Sequence, residues 1–170
     1  MPDDVTIRTA RANDAAAIAA IYNHYIAHTV VTFEEEPVSA EEMAARIGEV
    51  QAASLPWLVA ERGAERSGQI VGYAYATRWK TRASYRHSVE ITVYLAPEQS
   101  GRGIGPKLYA QLFTSLQACG IHAVIGGIAL PNDVSVALHE KFGFEKIAHF
   151  REVGFKFNRW VDVGYWQKIF

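Results

Sequence analysis

Apolar and polar side chains alternate from Val5 to Ala10, a period of two that predicts a first strand. Asn13 or Asp14 then offers a cap to a helix whose apolar residues Ile18, Ile21, Tyr22, Tyr25 and Ile26 recur at i, i+3, i+4, i+7 and i+8, one buried stripe. After an irregular segment from His28 to Pro37, Ser39 followed by Glu42 has the pattern of a capping box and opens a second helix to about Ala53. Trp57 to Glu61 and Gln69 to Trp79 are rich in β-branched and aromatic residues and predict a hairpin, with turn chemistry from Gly63 to Gly68. From His87 to Leu95, Val89, Ile91, Val93 and Leu95 alternate with Ser88, Glu90, Thr92 and Tyr94, which predicts a strand with one apolar and one polar face. Pro97 stops it, the stretch Gly101 to Gly105 follows, and Leu108, Tyr109, Leu112, Phe113 and Leu116 mark a helix that ends at Gly120. A short apolar strand (Val124 to Ile128), helical spacing (Pro131 to Phe142) and two aromatic-rich strands about a turn at Asn158 complete the chain. The order β, α, α, β, β, β, α, β, α, β, β, without repeat or long linker, predicts one mixed α/β domain over residues 1–170.

Composition narrows the function classes. Seventeen Lys and Arg oppose eighteen Asp and Glu, a formal charge of −1, so no basic field holds nucleic acid or an anionic membrane, and any anion must be held locally. The longest nearly uncharged run, around Ala118 to Asp133, is broken by Gly, His, Pro and Asn and falls short of the roughly 20 apolar residues of a spanning helix. A single cysteine, Cys119, forms no intrachain disulfide, and no basic stretch followed by an apolar core opens the chain, so a cytoplasmic setting is expected. At a helix end Cys119 reads as a small core residue rather than a nucleophile. His24 and His28 lie one helical turn apart, but no third ligand stands at useful spacing and no metal is expected.

The segment GRGIGPK lies between a predicted strand and a predicted helix, where glycines let backbone approach an anion and the first helical amides point at it. No Lys-Ser or Lys-Thr follows the last glycine, as a phosphoryl-transfer loop requires, and the glycine spacing is not that of the dinucleotide fingerprint. Pro106 suits the first helical turn, which places the open amides at about Arg102 to Gly105. On its own such a loop is also readable as a plain connection.

Together with the residues downstream, the loop resembles motif A of the GNAT superfamily of N-acetyltransferases, Q/R-x-x-G-x-G/A, with Ser100 where Gln or Arg is usual and Gln99 one place early. The run from Asn132 through Ser135, Leu138, His139 and Gly143 to Phe144 is similar to the family's N-x-x-A-x-x-L-Y-x-x-x-G-F, with His for Tyr. Resemblance to the phosphinothricin N-acetyltransferase group runs over nearly the whole chain, through TFEEEP, LPWLVAE, GYAYATRWKTRASYRHSVEITVYL, IALPNDVSVALHEKFGF and GFKFNRWVDVGYWQ. It implies the GNAT acyl-CoA N-acyltransferase fold, an α/β (α+β) architecture with a central mixed, mostly antiparallel sheet flanked by about four helices. The implied reaction is acetyl transfer from acetyl-CoA to the α-amino group of phosphinothricin or a similar amino acid, such as methionine sulfoximine or methionine sulfone. A homodimer with the C-terminal aromatic run near the active site is also implied.

Roles follow by resemblance. The backbones of Val93, Tyr94 and Leu95 receive the pantetheine arm, the Val93 amide being a candidate oxyanion donor, while Gly101, Arg102, Gly103, Ile104, Gly105 and Pro106 cradle the pyrophosphate and Asn132 contacts the cofactor. Glu90 is implied as general base and His139 stands at the acid position, donating to the thiolate or relaying a proton. By residue type alone, Glu90 also reads as a solvated carboxylate and His139 as a structural histidine. Arg78, Lys80, Arg82 and Tyr85, with Phe33, form the implied substrate pocket, suited to an anionic amino acid, although a charge run of this kind is otherwise a solvated loop. Glu34 to Glu36 read as a solvated acidic face. The competing class is a non-catalytic acyl-CoA-binding module that keeps the loop without the chemistry.

Overall fold

A computed structural model describes residues 4–63 and 68–170. Packing divides the chain into two compact units, each built from separated stretches: described residues of 1–22, 38–77 and 92–120 in one, and residues 23–37, 78–91 and 121–170 in the other. No helix among the described residues is long and apolar enough to cross a membrane.

In the first unit β1 (Val5–Thr9), β2 (Trp57–Arg62), β3 (Gln69–Arg78) and the second half of β4 (Ser88–Leu95) lie in that order. β1 pairs antiparallel with β2, and β2 antiparallel with β3 through a bulge at Ala60/Glu61. The β-branched and aromatic content that predicted these strands is spent on packing: Trp57 stacks on its cross-strand partner Tyr75 with ring centres 4.0 Å apart, and the Tyr73 ring lies 5.9 Å from that of Trp57. Helix α2 (Ala40–Ala52) packs on β2 with Met43 and Ile47 inward, and α3 (Ile104–Ala118) packs there too with Leu108, Leu112 and Leu116 fully buried. Arg8 ties β1 to its surroundings, its guanidinium meeting both oxygens of Asp14 at 2.8 and 2.9 Å and Glu61 at 2.7 Å.

The second unit has the order β4, β5 (Ala123–Leu130), β7 (Arg159–Ile169), β6 (Glu145–Lys156). β5 runs parallel to β4 over Ser88–Glu90 against Ala123–Ile125 and antiparallel to β7 along its full length. The predicted turn at Asn158 is a two-residue hairpin: Lys156 pairs with Arg159, and Phe157 and Asn158 both take positive φ, at 50° and 58°, matching the twist of the flanking strands. Helix α4 (Asp133–Lys141) packs on β5, and α1 (Ala15–His28), which begins in the first unit, ends in the second.

The element order is the one the periodicities predict, and the α/β class with a mixed, mostly antiparallel set of strands and four α-helices stands. Cys119, expected in the core, is exposed at the end of α3, and three further details differ. Neither Asn13 nor Asp14 caps α1: a single turn, Ala12–Asp14, precedes it, and buried Asp14 instead accepts from the Arg11 N–H at 2.7 Å and pairs with Arg8. β5 runs two residues further than its apolar core because β7 pairs with it as far as Leu130. Tyr94 lies on the nominally polar face of β4 yet packs edge-on against Tyr22 and against Tyr73. The turn expected at Gly63 to Gly68 falls largely on residues 64–67, outside the described residues.

Ser39 is the N-cap of α2 as expected, its hydroxyl accepting from Glu42 N–H at 3.1 Å, whereas the Glu42 carboxylate turns to Arg46 instead of closing the box. Ser39→Ala leaves that amide without its partner and is expected to cost about 1 kcal/mol of unfolding free energy in urea titration, with the m-value unchanged.

Candidate active site

The chain leaves β4 through a turn at Pro97–Gln99 and enters α3 through a loop in which Gly101 and Gly103 both stand at φ +76°. That left-handed backbone suits glycine and strains any residue with a Cβ, and the space where a Cβ would stand is open at both positions. Gly103 is the N-cap of α3, so the first helical N–H groups, at Ile104 and Gly105, have no helical acceptor, and Pro106 in the same turn has none to lose. Ile104 and Gly105 are buried, while Gly101, Arg102 and Gly103 are exposed. The anchored helix therefore presents its positive end beside an exposed glycine backbone and a guanidinium, a fit for a phosphate group. Ser100 is exposed and Gln99 is buried, its Oε1 without a partner among the described residues. Val93, Tyr94 and Leu95 are half-buried at the end of β4, and because the Tyr94 ring is taken up in packing, what that residue offers a ligand is backbone.

In the second unit Glu90 lines a cavity of about 470 Å³. Its walls are otherwise Val31, Phe33, Gly127, Ala129, Phe150, Val153, Val163 and Tyr165, which are apolar apart from the tyrosine hydroxyl and backbone. Burial in these surroundings raises the Glu90 pKa above the usual carboxylate range, and the charge of Lys80 pulls partly the other way. The Tyr165 hydroxyl is raised as well, by burial and then by the Glu90 charge. Gly127 makes the arrangement possible, since a Cβ there would stand 3.1 Å from both Glu90 Oε1 and the Tyr165 ring.

His139 is 3% exposed. Its Nδ1 lies 2.7 Å from the Ser135 carbonyl, an acceptor only, so Nδ1 carries the proton and donates. Burial lowers its pKa, partly offset by that carbonyl, and keeps the ring neutral. Nε2 faces Gly126, where a Cβ would collide with it. Successive residues of a strand point to opposite faces, so Gly126 and Gly127 place His139 and Glu90 on opposite faces of β5. Asn132 is the N-cap of α4, its side-chain oxygen accepting from Ser135 N–H at 3.1 Å.

Of the implied substrate residues, the structure brings Phe33 and Glu90 to one cavity and puts Lys80 within its field. The Lys80 ammonium sits 4.9 Å from the centre of the Trp79 ring, which is edge-on to Tyr165. Arg78, Arg82 and Tyr85 are exposed and are not among the lining residues. Tyr165, Phe150 and Gly127 were not singled out in the sequence, although paired glycines inside an apolar strand are themselves a sign of close approach. Among the described residues no group of three His, Cys, Asp or Glu is arranged to hold a metal ion.

The acetyltransferase (GNAT) domain model matches residues 7–164. The chain belongs to the GNAT acetyltransferase family. It is 42% identical to the phosphinothricin N-acetyltransferase of Streptomyces viridochromogenes over 98% of this chain and 88% of that one. It is 36% identical to the L-methionine sulfoximine/L-methionine sulfone acetyltransferase of Salmonella typhimurium, covering 96% of this chain and 93% of that one. The solved phosphinothricin acetyltransferase of Sinorhizobium meliloti in complex with acetyl-CoA superposes with a TM-score of 0.91 at 36% identity, over 98% of this chain and 88% of that one. In this GNAT chain the Asn132 cap and any cofactor contact are separable. Asn132→Asp keeps the capping oxygen and is expected to melt with the wild type, while Asn132→Ala loses about 1 kcal/mol; differential scanning calorimetry distinguishes the two.

Proposed function

We propose that this GNAT acetyltransferase moves the acetyl group of acetyl-CoA to the α-amino group of a small amino acid of the phosphinothricin type. The observation that carries the reading is Glu90, a part-buried carboxylate of raised pKa in the wall of an apolar cavity. An ammonium group is no nucleophile until it loses a proton, and a carboxylate whose pKa has moved toward neutrality takes that proton more readily than an ordinary one.

Acetyl-CoA supplies an activated thioester. Its diphosphate fits the amides of Gly103 to Gly105 with Arg102 beside them, and the backbones of Val93 and Leu95 are assigned to its arm. Glu90 removes the ammonium proton, directly or through water. The nitrogen then forms the C–N bond as the C–S bond breaks and gives up its second proton to water, the Val93 amide donates to the carbonyl oxygen, and the departing thiolate takes up a proton from water. His139 lies on the other face of β5 from Glu90, so it is assigned to the side of the leaving thiol and not to the amine's proton. The apolar walls, with Arg78 and Arg82 exposed outside them, favour one refinement: an acceptor with a neutral tail, of the methionine sulfone or sulfoximine kind.

Phe150, Val153, Phe155, Phe157 and Trp160 of the β6–β7 hairpin are each 50% or more exposed. We assign this aromatic face to a second copy of the chain, and because Phe150 and Val153 also line the cavity, the copy adds to its wall. Sedimentation equilibrium is expected to show a dimer that Phe155→Asp/Trp160→Asp converts to monomer; a monomeric wild type overturns this assignment.

The reaction is tested by following thiol release from acetyl-CoA with phosphinothricin, methionine sulfone, methionine sulfoximine and the common amino acids; turnover of none rejects the reading. Glu90→Gln is expected to lower kcat by about 10²-fold with acetyl-CoA affinity retained, against the alternative of a binding module without chemistry. Its melting temperature should equal or exceed the wild type's, because a desolvated charge is gone. The base works ionised, so kcat/KM should rise with pH along an acidic limb displaced above the ordinary carboxylate range. Lys80→Met removes the charge that opposes this displacement and is expected to move the limb to higher pH still.

A further inference from the structure

Lys156 is a buried cation to which acetyl transfer gives no task. It closes β6 one residue before the hairpin turn and is 2% exposed, where an unpaired ammonium would cost several kcal/mol. Its Nζ donates to the Thr32 carbonyl at 2.8 Å, across 124 residues of sequence, and lies 5.1 Å from the centre of the Phe157 ring. Thr32 is itself buried, and the Glu34 and Glu35 carboxylates act on the same ammonium, favouring its charged form against the cost of burial. Two residues earlier on the same face of β6, Gly154 receives the Phe33 ring so closely that any Cβ would collide with it.

Around these two contacts the segment 29–37 is stitched by short local bonds. Thr29 Oγ1 donates to the Tyr25 carbonyl at 2.8 Å and accepts from Val31 N–H at 3.3 Å, and Thr32 Oγ1 accepts from Glu34 N–H at 3.3 Å. Such turns shape a loop but do not attach it to a strand. Attachment is what Val31 and Phe33 need, since both line the cavity that holds Glu90.

We propose that Lys156 is a positioning residue for the acceptor: through the Thr32 carbonyl it fastens segment 29–37 to β6 and so sets Val31 and Phe33 as the cavity wall facing Glu90. The role of that cavity rests on the acetyl-transfer reading; the fastening does not. It also gives the acidic run a use, since two of its carboxylates balance a buried charge instead of facing only water.

The test compares Lys156→Met, which keeps the aliphatic stem and loses the ammonium, with the wild type by amide hydrogen exchange and by steady-state kinetics in both substrates. Exchange is expected to quicken in residues 29–37 and not in α3 or β1. The acceptor KM should rise about 10-fold or more, as expected when a binding wall loses its support, with KM for acetyl-CoA within about twofold. A surface double variant, Glu34→Gln/Glu35→Gln, moves both readouts the same way by a smaller factor and serves if Lys156→Met folds poorly. Unchanged exchange in 29–37 overturns the fastening, and quickened exchange with an unchanged acceptor KM overturns the positioning role. Should the wild type acetylate no amino acid, the acetyl-transfer reading fails, while quickened exchange confined to 29–37 still supports the fastening.

Discussion

A carboxylate that must ionise cannot be wholly buried, and one that must take a proton from an amine near neutral pH cannot be wholly solvated. As the proposed base, Glu90 sits between those limits, part-buried in the wall of its cavity. Burial in the wall of its cavity raises its pKa, while the charge of Lys80 pulls partly the other way. The balance requires physical room beside the strand, which Gly127 provides. A strand glycine ordinarily weakens pairing, yet β5 stays registered with β7 along its whole length, so the loss on one side is offset by an uninterrupted ladder on the other.

The glycines at 101 and 103 serve the opposite purpose. There the proposed contact with the cofactor is the backbone itself, and at both glycines the chain is left-handed with open space where a Cβ would stand. Ile104 buried behind the loop fixes the helix end, as a preorganised anion site requires, since amides that had to be ordered on binding would lose part of what they gain.

Periodicity exposed nearly every element because each carries a strong local cause: an alternating strand, a capped helix, or glycine at the end of α3. The errors arise where a side chain answers to a partner outside its own element. Asp14 has the chemistry of an N-cap, but Arg8 and the Arg11 amide claim it, and Tyr94 stands among polar neighbours but packs on Tyr22 and Tyr73. The turn through Gly101 and Gly103 was legible because left-handed backbone is a local demand that glycine meets. The cavity was only half legible: Phe33 and Glu90 were named from resemblance, whereas Tyr165 and Phe150 come from a hairpin far along the chain from both, and no local pattern encodes that meeting. Lys156 was invisible for the same reason, since a lysine at a hairpin end ordinarily points to water and this one is held by a carbonyl far away in the chain.

The placement of His139 has a consequence for how protons move. Its Nδ1 proton is committed to Ser135, burial disfavours the imidazolium, and β5 separates it from Glu90. A neutral ring so held is a poor store of protons, and two groups on opposite faces of one strand cannot pass a proton through the backbone between them. In the proposed reaction, deprotonation of the amine by Glu90 and protonation of the thiolate are then separate events. Such a division suits a reaction whose nucleophile and leaving group never need to share a proton. It relieves Glu90 of having to act as acid as well as base, so its pKa can be set by the amine alone.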